Sequence, residues 1–188
     1  SLLWDNTQPG RIVPEAYLDD TQVSPTLVSI GDRQINWESE SREYLNELKS
    51  RLVIDSQMTQ IVAQRLKDKP KATVEQKINL LAAWVQQQIT YQGIEFGRRG
   101  QIMPPVDQTL RNRFGDCKEH SLLLVQLLRS AGINAHLALA DTNSPVVTTV
   151  PSMDQFDHMV VYAEDEQGPR VIDSTDTAAD LALRLPIW

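Results

Sequence analysis

The run from Gly115 to Gly132 constrains the fold more than any other part of the chain. Asp116 stands where a helix N-cap belongs, and Glu119 follows three residues later as a capping-box carboxylate. The helix then runs through Leu122-Leu123-Leu124-Val125-Gln126-Leu127-Leu128 until Gly132 ends it as a left-handed C-cap. Apolar residues fall on nearly all of its faces, so it has no face to give to water and must be buried. A chain of 188 residues holds one domain of ordinary size, or one domain plus an arm. The rest of that domain must therefore be built around this helix.

Amphipathic helices and short strands supply the wrapping. Tyr44, Leu45, Leu48 and Leu52 line one face of a helix predicted over Glu38 to Val53. Met58, Ile61, Val62 and Leu66 do the same over Asp55 to Lys67, which Pro70 stops. A capping box at Thr73-Val74-Glu75-Gln76 opens a third helix to Ile89, with Ile78, Leu81, Trp84 and Val85 facing inward. Residues 91–115 are loop-rich, with a short helix expected over Asp107 to Asn112. Strands are expected at Ile133 to Ala140, Phe156 to Tyr162 and Val171 to Asp173, with Glu164 to Gly168 as a solvated hairpin turn between the last two.

Residues 1–36 have no helical periodicity and carry Pro9, Pro14 and Pro25, so they read as an extended arm or linker. Thr26 to Ile30 is a strand-like piece within it. The domain expected from this pattern spans 37–188. The chain starts at Ser1 without a Met and without a signal-like stretch, which reads as a mature product or a piece of something longer.

Charge and cysteine content remove several function classes. Hydrophobic residues at 41 % and charged residues at 23 % suit a globular protein rather than a disordered one, and no run of about 18 apolar residues offers a membrane span. The formal charge of −7, without a Lys/Arg block, argues against nucleic-acid binding. Cys117 is the single cysteine, so an internal disulfide and a multi-thiolate zinc site are both excluded.

Cys117 falls at the first position of the buried helix. The free N–H groups and positive dipole end there favour a thiolate and can steady an oxyanion, while the charges of Asp116 and Glu119 oppose the thiolate. A lone Cys leading into an apolar helix is equally what a small core residue looks like. His158 tips the balance. A hairpin turn centred between Asp165 and Glu166 puts His158 directly opposite Asp173, with both side chains on one sheet face. A carboxylate beside an imidazole orients it and stabilises its cation. A one-residue slip would separate the two. Thiolate, base and orienting acid are the parts of a cysteine nucleophile.

Phe114-Gly115-Asp116-Cys117-Lys118-Glu119-His120-Ser121, Leu127 to Ala135, Phe156-Asp157-His158 and Val171-Ile172-Asp173-Ser174-Thr175 together resemble the bacterial transglutaminase-like core, a branch of the papain-like thiol enzymes. The resemblance covers roughly residues 73–178. It implies an α+β fold in which the Cys-bearing buried helix packs on a small antiparallel sheet, with additional N-terminal helices. It implies Cys117 as nucleophile, His158 as base and Asp173 as orienting acid. The stretch Ile89 to Glu95 resembles the family segment that completes an oxyanion hole, with Tyr91 and then Gln92 as the donors. It also implies a β-rich domain upstream in a longer parent, periplasmic or secreted. No cofactor is required. The expected substrate is a peptide or protein amide, opened through a thioester, with hydrolysis preferred over transamidation because water needs no second binding site.

Two rivals remain on the residues. Cys117 and His120 share a helix face and, with His158 and Asp173, make four possible zinc ligands. Alternatively the fold is a peptide-binding module without catalysis. His136 and Trp84 read as structural, and Arg98-Arg99 as a solvated basic spot.

Overall fold

The buried helix is the axis of the molecule. It is α5, Cys117–Ser130, and every residue from Glu119 to Leu128 is buried. The computed structural model describes residues 35–93, 103–143, 145–176 and 183–184. The expected arm (apart from Ile35 and Asn36), the Thr26 to Ile30 strand and Arg98-Arg99 lie outside the described residues. Three helices precede α5 in the chain: α1 Trp37–Leu48, α2 Ser56–Leu66 and α3 Val74–Gln88. Two-residue strands β1 Thr90–Tyr91 and β2 Phe114–Gly115 pair in parallel, with the short helix α4 Val106–Asn112 between them. A four-stranded antiparallel sheet follows, in the order β3 Ala135–Ala140, β4 His158–Asp165, β5 Gly168–Ile172 and β6 Leu183–Arg184. The architecture is the expected α+β: α5 packs against α2, α3 and α4 and also against β3 and β4.

Both ends of α5 are closed by local chemistry, as a helix without access to water requires. At the N-terminus the Asp116 carboxylate accepts from the Lys118 and Glu119 N–H groups, and the Glu119 carboxyl accepts from the Asp116 N–H at 2.9 Å. At the C-terminus Gly132 sits at φ 78°, so its N–H reaches the Arg129 carbonyl and the Ile133 N–H reaches that of Leu128. Gly115 has a different reason to be glycine. A Cβ there would lie 2.7 Å from the Cβ of Glu119, inside the capping box.

Three expectations shift, each through a long-range contact. α1 stops at Leu48 rather than Val53 because buried Gln126 of α5 captures the segment that follows. Its amide donates to the Arg51 carbonyl at 2.7 Å and accepts from the Asp55 N–H at 2.9 Å, and Arg51 reaches the Met103 carbonyl. The strand expected from Phe156 starts at His158, because the Phe156 ring meets Trp37 edge-on and the Asp157 carboxylate accepts from Thr142 and Asn143. The hairpin tip is not simply solvated. The Asp165 side chain is buried against Arg170 at 3.0 Å, and Glu166 accepts from the Val74 N–H at 2.8 Å, at the N-terminal end of α3.

That tip also moves the register. Asp165 faces Gly168 and Val161 faces Ile172, so the turn is Glu166-Gln167, one residue later than expected. His158 is therefore not directly opposite Asp173. The register moves by two positions, which keeps both residues on the same sheet face.

Truncating Gln126 to Ala is expected to cost about 2–3 kcal/mol of unfolding free energy, because the Arg51 carbonyl and Asp55 N–H both lose their buried partner. Urea unfolding reads this directly. A loss below about 0.5 kcal/mol, the size of an ordinary surface substitution, would contradict the link.

Candidate active site

Cys117, His158 and Asp173 come from three different elements. Cys117 opens α5, His158 opens β4, and Asp173 follows the last residue of β5. Asp173 leaves the strand because its Oδ1 accepts from both the N–H and the hydroxyl of Thr175, at 2.9 and 2.6 Å. Its other oxygen lies 2.7 Å from His158 Nε2. Cys117 lines the same cleft as His158 and is near enough to the imidazole to help raise its pKa. A thiol, an imidazole and a carboxylate are thus gathered in one place.

The group is electrostatically self-consistent. The Asp173 carboxylate, and then the Cys117 sulfur, hold His158 protonated and push it up to about 10. Burial works against Asp173, but the bonds from His158 and Thr175 win and bring it down to about 2. The two acids beside the thiol are subdued. Asp116 pairs with Lys118 Nζ at 2.5 Å. Burial, and then the hydrogen bond to Asp116, push Glu119 up to about 7, so much of its charge is gone near neutral pH. The opposition that the sequence sets up at this helix end is thereby largely cancelled.

Cys117 is 8 % exposed, and with His158 it opens onto a cleft of about 600 Å³. One wall is α1, with Glu40, Glu43, Tyr44 and Glu47; the other includes Met153, Phe156 and Asp157. Trp37 ties the walls together, donating its indole N–H to the Thr148 carbonyl at 2.6 Å and meeting Phe156 edge-on. Tyr44 was legible only as a core residue of an amphipathic helix. Its membership of the cleft wall depends on how α1 docks, and no local pattern reports that. Burial, and then the Cys117, Glu47 and Asp116 charges, push its phenol up to about 12, so it stays a hydrogen-bond donor.

Tyr91 and Gln92 are not brought into the lining of the cleft. They sit on β1 and just after it, held to the Cys helix because the Gln92 N–H donates to the Gly115 carbonyl at 2.9 Å. The Tyr91 ring is 47 % exposed and meets His120 edge-on at 6.0 Å. His120 is 2 % exposed, with Nδ1 3.1 Å from the Ser174 carbonyl. Burial keeps it neutral, so Nδ1–H donates there. Of the four zinc candidates Cys117, His120, His158 and Asp173, His120 keeps a buried Nε2 with no hydrogen-bond partner among the described residues, while His158 Nε2 and Asp173 bind each other. Among the described residues no group of three or more His, Cys, Asp or Glu is arranged to hold a metal ion.

A cysteine at the N-terminus of a buried helix, with His and Asp delivered by an adjacent antiparallel sheet, defines the papain-like class of thiol architecture. Within it, the family described as the Transglutaminase-like superfamily matches residues 60–165, more than half of the chain, and the protein belongs to that family. A candidate protease from Parabacteroides distasonis superposes with a TM-score of 0.54 at 17 % identity, over 73 % of this chain and 30 % of that one. A candidate cysteine protease from Cytophaga hutchinsonii gives 0.48 at 14 %, over 72 % and 43 %. A structure described as a TGase gives 0.44 at 9 %, over 80 % and 41 %. At such identities likeness concerns the fold alone, and only the first superposition is close enough to bear on it. The chain spans less than half the length of these solved structures. No curated protein matches it.

The pH dependence of stability follows from the two shifted groups. His158 is raised from 6.5 to about 10, so its contribution is full below about 6.5 and is lost as pH rises through about 10. Asp173 is lowered from 3.8 to about 2, so its contribution is full above about 3.8 and is lost as pH falls through about 2. The stability gap between wild type and Asp173→Asn is expected to be widest between those limits and to narrow on either side. Denaturation midpoints across pH measure it. A gap that widens from neutral pH towards 10 would contradict the assignment.

Proposed function

We propose that the protein is a cysteine-dependent acyl-transfer enzyme acting on amide bonds of peptides or proteins, with Cys117 as nucleophile, His158 as acid and base, and Asp173 as the group that orients His158. The observation that carries this reading is that Cys117 and His158 line one open cleft, with His158 Nε2 2.7 Å from Asp173.

The proposed reaction has two halves. The Cys117 thiolate attacks the amide carbon, a C–S bond forms, and the carbonyl oxygen becomes an oxyanion. The backbone N–H of Cys117 suits that oxyanion, because no described residue accepts from it while the next three N–H groups go to Asp116. Tyr44 on the cleft wall and the Tyr91-Gln92 segment are the candidate second donors. His158 then gives its proton to the departing nitrogen, and the C–N bond breaks to leave a thioester. In the second half water loses a proton to His158, attacks the thioester and releases the acid, restoring the thiolate–imidazolium pair. An amine in place of water would give transamidation. Hydrolysis is the preferred outcome, because an amine acceptor needs its own binding site and water does not.

Acid-quenched mass spectrometry of the protein with peptide amides and activated esters tests the thioester. The expected result is an adduct on Cys117 that is absent from Cys117→Ala and does not build up when His158 is Ala. Absence of any adduct would favour a peptide-binding module. Tyr44→Phe and Tyr91→Phe separate the two oxyanion candidates. The true donor, once removed, should lower turnover by about a hundredfold while iodoacetamide still alkylates Cys117 at the wild-type rate. Turnover unchanged in either variant discards that residue.

A further inference from the structure

The cleft above Cys117 is walled by carboxylates that form no salt bridge with any described residue. Glu40, Glu43 and Glu47 recur on the face of α1 that lines it, and Asp154 and Asp157 stand on the opposite wall. Among the described residues no salt bridge reaches any of the five. Arg42, the one basic residue of α1, pairs with Glu38, and Lys118, the one lysine in the lining, is held by Asp116. Like charges at positions three and four apart destabilise a helix, so α1 carries this face at a cost to its own stability. The lining also has an apolar part in Leu139, Met153, Phe156 and Met159, the kind of surface on which the stem of a long cationic side chain lies.

We propose that this cleft selects basic peptide segments, with Lys or Arg side chains flanking the reacting amide and laid along the Glu40–Glu43–Glu47 face of α1. The proposal rests on the acyl-transfer reading, since it is the reacting thiol and imidazole on the floor that make the cleft a substrate site. Glu43 and Glu47 are separated by about 6 Å along the helix axis. That is close to the roughly 7 Å between same-side residues of an extended peptide, so an alternating pattern such as Lys-X-Lys fits the wall. A field of one sign in a cleft raises the local concentration of the opposite charge and is weakened by salt.

Binding and chemistry are tested separately. Fluorescence anisotropy of labelled peptides on the full Cys117→Ser chain compares Lys-X-Lys, Ala-X-Ala and Glu-X-Glu sequences of equal length. The Lys peptide is expected to bind at least about tenfold more tightly than the Ala peptide, with the gap closing at high salt and in the Glu43→Gln/Glu47→Gln variant. Relief of like-charge repulsion should leave the melting temperature of that variant equal or raised, which excludes unfolding as the reason for weaker binding. Equal affinity for the Ala peptide, or tighter binding of the Glu peptide, overturns the proposal. The wild-type thioester assay forms the other arm. Adducts formed equally well from all three peptides overturn the basic preference and leave acyl transfer standing. Charge-selective binding without any adduct supports the cleft's preference for basic peptides and overturns the catalytic reading instead.

Discussion

Burial of α5 from Glu119 to Leu128 is the constraint on which the rest depends. A helix without a wet face must have its terminal N–H and C=O groups satisfied by the chain itself. The Asp116–Glu119 box at one end and Gly132 at the other do this, and the remaining elements are arranged to cover what lies between. The first turn is solved in a particular way. Asp116 takes the N–H groups of Lys118 and Glu119, and its carbonyl takes that of His120, which leaves the N–H of Cys117 beside the thiol. Gly115 allows this because Glu119 folds back against its Cα. Structural need and the proposed chemistry thus meet in the same four residues.

The sheet contributes what the helix cannot. Ser121 donates to the Met159 carbonyl at 2.9 Å, and His120 donates to the Ser174 carbonyl. α5 therefore grips the residue after His158 and the residue after Asp173. Both partners of the imidazole–carboxylate pair are held against the helix that carries the thiol. A 2.7 Å contact between two partly exposed side chains is of little worth on a mobile surface. Here the backbone on each side of it is pinned from a buried helix, so the pair orients the imidazole as well as charging it.

How much of this was legible depended on range. Local chemistry wrote α5 plainly: Asp116, Glu119 and Gly132 sit at the offsets that caps require, and they mark its ends. The same holds for α3, where Thr73 and Gln76 form the expected box. The His158–Asp173 pairing was legible in parity but not in register, because face is set by a period of two while register is set by the turn. What could not be read was decided across the chain. Gln126 ends α1 from 75 residues away, and Glu166 reaches the start of α3 across 92. Tyr44 looks like any apolar-face aromatic until α1 docks beside Cys117. Tyr91 and Gln92 adjoin the Cys helix through β1–β2 pairing, a contact between segments more than twenty residues apart that no local pattern reports.

The central proposal is that His158 activates the Cys117 thiol. The most direct measurement is the second-order rate of Cys117 alkylation by iodoacetamide across pH, in wild type and in His158→Ala. The predicted result is a wild-type rate at neutral pH about tenfold or more above that of the variant, with pH profiles of different shape. Superimposable profiles for the two proteins would contradict it.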